Sequence, residues 1–384
     1  MPNVKKSRYP SAPIKWSRNT HGREKDLGPD TELHKAAFNG TWHKLPKAFL
    51  TAENLMKRNA AGLTPVYIAA EQGNLDQIPA ELFTTENLTA KVAGSSALHI
   101  AAKHRHLDQL PVAALTYTAV SASYADGYTV IHEAAANGSL DQLPKELLTQ
   151  NNLLVKDGEG NTPLHEAAYG GHLNQIPQDL LTSTNMLARN NDGTTPMHGA
   201  LHSGCLEQLP AELLTEKNIT IKDKQNWTPL HMAAREGNLN QVPTSILTTK
   251  NLMLMDSEGD SVLYIAITNV NLDQVPQELL TTECMLTKRK GDWTLLHEAT
   301  NAGYLNQLPK SVLTAENLLV EDVDGQTPLD AAIEENHLDH LLGVEFPDKV
   351  KDMVGEEWWN RNQAVLRDKV ELSTTTDSVE IDLF

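Results

Sequence analysis

Between Gly160 and Leu187 the apolar positions change rhythm twice. Leu164, Ala167 and Ala168 fall on one face at helical spacing. Thr162 just before them suits a helix N-cap, and Pro163 suits the first helical position, where no N–H is needed. Gly171 ends that pattern. Leu173, Ile176, Leu180 and Leu181 then predict a second, short helix with Pro177 in or near its first turn. Thr182 closes it, and Asn185 leads through an extended stretch to a turn at Asp192-Gly193.

The same pattern recurs along the chain. Pro46, Pro79, Pro111, Pro144, Pro177, Pro210, Pro243, Pro276 and Pro309 are 33 residues apart, except for one interval of 32. An Ala column runs in phase from Ala36 through Ala69, Ala101 and Ala134 to Ala332, and every member is Ala. A Thr column from Thr51 to Thr314 marks the end of each predicted second helix. One such unit cannot bury its own apolar face, so neighbours must stack into a continuous core. Small Ala lets adjacent helices approach closely. The fold class expected is an all-α solenoid of about ten 33-residue helical-hairpin units, a curved rod on the order of 80–100 Å long at ordinary helix spacing.

The stretches Thr162-Pro163-Leu164-His165-Glu166-Ala167-Ala168, Thr228-Pro229-Leu230-His231-Met232-Ala233-Ala234 and Thr327-Pro328-Leu329-Asp330 resemble the ankyrin-repeat signature, and the period agrees. The resemblance covers about residues 28–343. It implies an ankyrin solenoid whose repeated His bridges units by hydrogen bonds. Three features depart from it. The second helix of each unit starts with Leu-x-Gln-x-Pro and should be short. The third unit (Ser96 to Gly127) is one residue shorter and has Arg105 where Gly is usual. The eighth has Tyr264 and Val270 in the His and Gly places. These two units are where a bend or a contact is expected.

Charge narrows the partners. The net charge is −18, yet residues 1–30 hold seven Lys/Arg against three Asp/Glu. An acidic body disfavours direct nucleic-acid binding, which needs clustered cations. It suits solubility and basic partners. Only Cys205 and Cys284 are present, too few for a zinc site or a disulfide framework. No apolar run of 18 residues is present, and Met1 to Asp30 has no signal-like apolar stretch. A cytoplasmic, monomeric protein without a membrane segment is expected.

Candidate chemistry is sparse. His34, His99, His132, His165, His198, His231 and His297 form a column, but members one repeat apart cannot share a metal ligated at about 2 Å. Gln77, Gln109, Gln142, Gln175, Gln208, Gln241, Gln274 and Gln307 form an amide ladder suited to bonds between units. Asp157-Gly158-Glu159-Gly160 lacks calcium-loop spacing and reads as a turn between units. No phosphate loop, nucleophile elbow or His-Glu-x-x-His helix is present. No catalytic residue, metal or cofactor is expected.

The function expected is a non-catalytic scaffold that binds another protein through the concave face and turn tips. Candidate contacts are the first-helix positions Tyr169, His202 and Arg235, among varied neighbours such as Phe38, Glu71, Lys103 and Asn301. Tyr128, Trp227 and Trp293, at the turn tips, are candidates because aromatic side chains are enriched in binding hot spots. An alternative is an acidic inhibitor that mimics nucleic acid towards a basic partner. Four regions are expected: a basic flexible arm (1–27), the array (28–343), a helical cap (344–372) that includes Trp358 and Trp359 as a possible docking pair, and an acidic flexible tail (373–384). The ending Glu380-Ile381-Asp382-Leu383-Phe384 resembles the short peptide by which bacterial proteins dock on the DNA sliding clamp, and also the acidic tip of bacterial single-strand-DNA-binding proteins. That resemblance makes Ile381, Leu383 and Phe384 candidate anchors of an adaptor.

Overall fold

The computed structural model describes residues 29–92, 94–123 and 126–335, with isolated positions between 351 and 363. Expectations that fall on the basic arm, on Trp358 and on the tail anchors Ile381, Leu383 and Phe384 lie outside the described residues. Ten α-helices of seven or more residues run in phase among those described: α1 (Pro29–Asn39), α2 (Pro65–Gln72), α3 (Ala97–Lys103), α4 (Val130–Ala136), α5 (Pro163–Gly170), α6 (Pro196–Ser203), α7 (Pro229–Glu236), α8 (Val262–Thr268), α9 (Leu295–Asn301) and α10 (Pro328–Glu334). Each packs beside the next, and their paired alanines, such as Ala134, Ala135, Ala167 and Ala168, are fully buried. The only β pairing among the described residues is four isolated antiparallel bridges, such as Met255 with Ser261, at the turns between units.

Local chemistry sets the helix ends. At α5, Thr162 caps the N-terminus and Pro163 takes the first position. Gly171 closes the helix with φ +75°, a left-handed conformation that costs a residue without Cβ nothing. Arg105 and Val270 occupy the equivalent place with φ 60° and 63°, so the irregular third and eighth units keep the turn at the cost of strain.

The predicted second helix is corrected. The segment from Leu173 forms two 3-10 turns, Leu173–Gln175 and Gln178–Leu180, separated by Pro177. Proline forces the preceding residue out of the helical region, and Ile176 is extended at ψ 134°. Thr182 does not close this segment. It caps a third element, the one-turn α-helix Ser183–Met186, and its hydroxyl accepts from the Asn185 N–H. The Asn185 amide then donates to the Leu180 carbonyl at 2.8 Å, tying that turn to the 3-10 turn before it. The same pair of bonds recurs at Asn152, Asn218, Asn251 and Asn317.

Three columns of polar side chains join unit to unit. The Nε2 of His34, His132, His165, His198 and His297 each meets a carbonyl 29 residues on, at 3.0–3.2 Å. The Gln column reaches backwards. Gln175 accepts from the Leu140 N–H at 2.9 Å and donates to the Gly138 carbonyl at 2.7 Å, and Gln142 repeats this on Leu107 and Arg105. Nothing in the sequence had singled out the third column. The residue after each helix-closing position donates to a carbonyl of the previous helix: Asn74 to Ala37, His106 to Ala70, Ser139 to Ala102 and Asn271 to Ala234. Its residue types differ and share only a donor.

Candidate binding surface on the first helices

Tyr169, His202 and Arg235 close the last turns of α5, α6 and α7, each 33 residues from the next. The structure brings all three together. The rings of Tyr169 and His202 lie 5.4 Å apart, and Arg235 Nη2 is 3.4 Å from His202 Nδ1. Glu236 joins them: its carboxylate accepts from Arg235 Nε at 2.7 Å and stands 3.2 Å from His202 Nδ1. The Arg235 guanidinium sits over the Trp227 ring, 5.2 Å from its centre. The result is one half-buried cluster of aromatic, cationic and anionic groups across three units.

One close approach makes this possible. Gly199 on α6 has no Cβ, and one built there would come within 2.9 Å of the Tyr169 N and 3.0 Å of its ring. Tyr169 therefore lies close against α6. Burial pushes the Tyr169 hydroxyl pKa well above its usual range and lowers that of His202, the latter opposed by Glu236. Unprotonated, His202 Nδ1 accepts from Arg235. Protonated, it donates to Glu236. Phe38, at the same phase on α1, is exposed.

The turn-tip aromatics each lie against a histidine ring. Tyr128 is only 5% exposed, and its ring is 4.9 Å from that of His132. Trp227 and Trp293 stack likewise on His231 and His297, at 5.7 and 4.7 Å, and the Trp293 indole N–H donates to Glu298. An aromatic residue before the capping Thr thus covers the His four positions later. That spacing was visible in the sequence; the depth at which the ring sits was not. Trp359, expected as half of a docking pair, is 6% exposed and packs into the core, with the Lys351 ammonium 6.0 Å from its ring.

The histidine column is buried. Burial pushes His99, His132, His165, His198 and His231 down to about 4. Among the described residues no three His, Cys, Asp or Glu converge as a metal site requires. Asp157 is a turn residue, and its carboxylate accepts from the Glu159 and Asn161 N–H groups. Tyr264, in the His place of α8, is covered by the Arg289 guanidinium 3.4 Å from its ring centre, and Arg289 pairs with Asp260. No helix among the described residues is long and apolar enough to cross a membrane.

No curated protein matches the chain. The family model for ankyrin repeats, which spans three copies, matches residues 131–211 and 174–244, the stretch that carries α4 to α7 and the cluster on them. The caps, the alanine pairs and the His and Gln bridges continue in phase on both sides of that match. The chain carries ankyrin repeats.

Proposed function

We propose that this chain is a non-catalytic scaffold that binds a protein partner on the concave side of the array, centred on Tyr169, His202, Trp227 and Arg235. Ankyrin repeats generally mediate protein–protein interaction. The observation that carries the site is the cluster itself. At this one phase of the repeat, three successive units place large side chains in mutual contact. Tyr, Trp and Arg are the side chains that dominate binding hot spots, because they bury area at modest cost in conformational freedom. Here they are already ordered against one another, which lowers that cost further. Of the turn-tip rings, buried Tyr128 has less to offer than half-buried Trp227. The free buried thiols of Cys205 and Cys284 fit a reducing intracellular compartment.

The test is affinity capture from the source cell, comparing the wild-type chain with the Tyr169→Ala/Arg235→Ala variant. Circular dichroism checks that both are folded. The proposal expects a partner captured by the wild type and lost, by tenfold or more, with the variant. Equal recovery would remove the cluster from the interface. Repeating the capture in about 0.5 M salt separates this reading from the acidic-mimic alternative. Screening at that ionic strength would abolish a charge-driven complex, while an aromatic hot spot would persist.

A further inference from the structure

The third unit breaks the polarity of the outer layer. Its proline lies 32 residues after Pro79 instead of 33, and a cleft of about 440 Å³ opens there. Ile78, Pro79, Ala80, Phe83, Leu110 and Pro111 form its apolar lining, with Asp76, Gln77 and Gln109 at its polar edge. Three positions around it depart from their columns. Phe83 stands where eight other units have Leu. Val112 stands where others have Lys, Gln, Thr or Ala, and it is 71% exposed. Tyr117, 60% exposed, replaces Ala, Thr, Gln, Ser or Glu. Ala113 falls where Glu81, Glu146 and Glu212 put a carboxylate. Exposed Val and Tyr beside an open apolar cleft are costly to leave in water and mark a docking surface.

Charge and chain length name the occupant. The outer segments flanking the cleft, 75–90 and 107–120, carry Asp76, Glu81, Glu86 and Asp108 and no Lys or Arg. All four carboxylates are exposed. The acidic tail residues Glu380 and Asp382 would be repelled there. The segment before Pro29 has the opposite character: Tyr9, Ile14 and Trp16 alternate with Lys5, Lys6, Arg8, Lys15 and Arg18. From Trp16 to Pro29 an extended chain spans up to about 45 Å. The cleft lies between the second and third units, roughly 12–20 Å along the array at ordinary helix spacing. We infer that residues 9–16 of this chain dock in the cleft, with an apolar ring against Phe83, Val112 and Tyr117 and the flanking cations over Asp76, Glu81 and Asp108. The arm would then be a tethered ligand of a surface separate from the first-helix cluster, and a partner with a basic, aromatic segment would have to displace it.

Disulfide trapping in the full chain tests this. Ser11→Cys, inside the docking segment and sparing its rings, is combined with Val112→Cys, or with Lys47→Cys as control. Lys47 is the exposed residue of the same column in the first unit, within reach of the same tether. Cys205 and Cys284 are buried in both. Non-reducing gels and peptide mass mapping follow the rate of the intramolecular bond. Docking predicts that the Val112→Cys pair closes at least tenfold faster than the control at low salt. It also predicts that Glu81→Lys/Asp108→Lys removes most of that advantage. Equal rates for the two pairs would overturn the proposal. So would a disulfide that joins two chains, or a rate indifferent to the charge reversal.

Discussion

His165 holds two units together by donating from Nε2 to the Thr194 carbonyl at 3.2 Å while its Nδ1 accepts from the Thr162 N–H at 3.1 Å. Both ring nitrogens are used, and only the neutral ring can use them this way. Protonating Nδ1 would set two N–H groups against each other in a buried site. Burial pushes five members of this column down to about 4, while the unfolded chain titrates them near 6.5. Between those values the unfolded state binds more protons, so stability rises with pH across the window, by up to about 1.4 kcal/mol per pH unit for each histidine. Buried Glu133, pushed up to about 7, offsets one of them below neutrality. Urea midpoints taken from pH 7 down to pH 4 should fall throughout. A flat profile would mean these rings are accessible to protons in the fold.

Val270 carries φ 63° at a site where Gly closes α5, α6 and α7, and its side chain is 75% exposed. It gains little burial in exchange for a left-handed backbone. Val270→Gly should therefore stabilise the chain by about 1 kcal/mol, because the relief of strain exceeds the extra freedom glycine gives the unfolded state. The reverse change, Gly171→Val, should destabilise by a similar amount or more. Paired thermal melts of the two variants measure both signs.

Thr182 caps the start of Ser183–Met186 by accepting from the Asn185 N–H, and the Asn185 side-chain amide binds Leu180. Thr182→Ala should cost about 1 kcal/mol through the lost cap. Asn185→Ala should cost more, since it empties a buried side-chain position and leaves the partly buried Leu180 carbonyl short of a donor. Chemical denaturation of the two single variants ranks them, and the opposite order would assign the main role to the hydroxyl.

That motif also shows what the sequence could and could not convey. The Pro, Ala and Thr columns fixed the period, the first helices and their caps, because each rests on a local rule about proline, small side chains or hydroxyls. Thr182-x-x-Asn185 is a helix-start signature. Thr182 marks a terminus only if the segment before it is one continuous helix, and Pro177 splits that segment. Tyr169, His202 and Arg235 could be picked out by their phase, while Glu236 and Gly199 could not. Their roles depend on the spacing of α5, α6 and α7, which no single unit encodes. Tyr128 looked like an exposed tip because nothing along the chain reports how deeply the His132 ring draws it in.

Gly199 sets the fit between α5 and α6, and its substitution puts two effects in competition. Alanine is the better helix former by roughly 1 kcal/mol. Its Cβ, however, would stand 2.9 Å from the Tyr169 N, and backbone cannot swing away as a side-chain tip can. The helices must part or the Tyr169 ring must leave its place beside His202. Overpacking of this kind costs about 1–3 kcal/mol, enough to outweigh the propensity gain. Gly199→Ala should lower the urea midpoint, alter the aromatic circular dichroism and weaken partner capture in the same variant. If Gly199→Ala proves more stable than wild type with the aromatic signal unchanged, the spacing of α5 and α6 is not held by this glycine, and the order of the cluster must come from Arg235 and Glu236 alone.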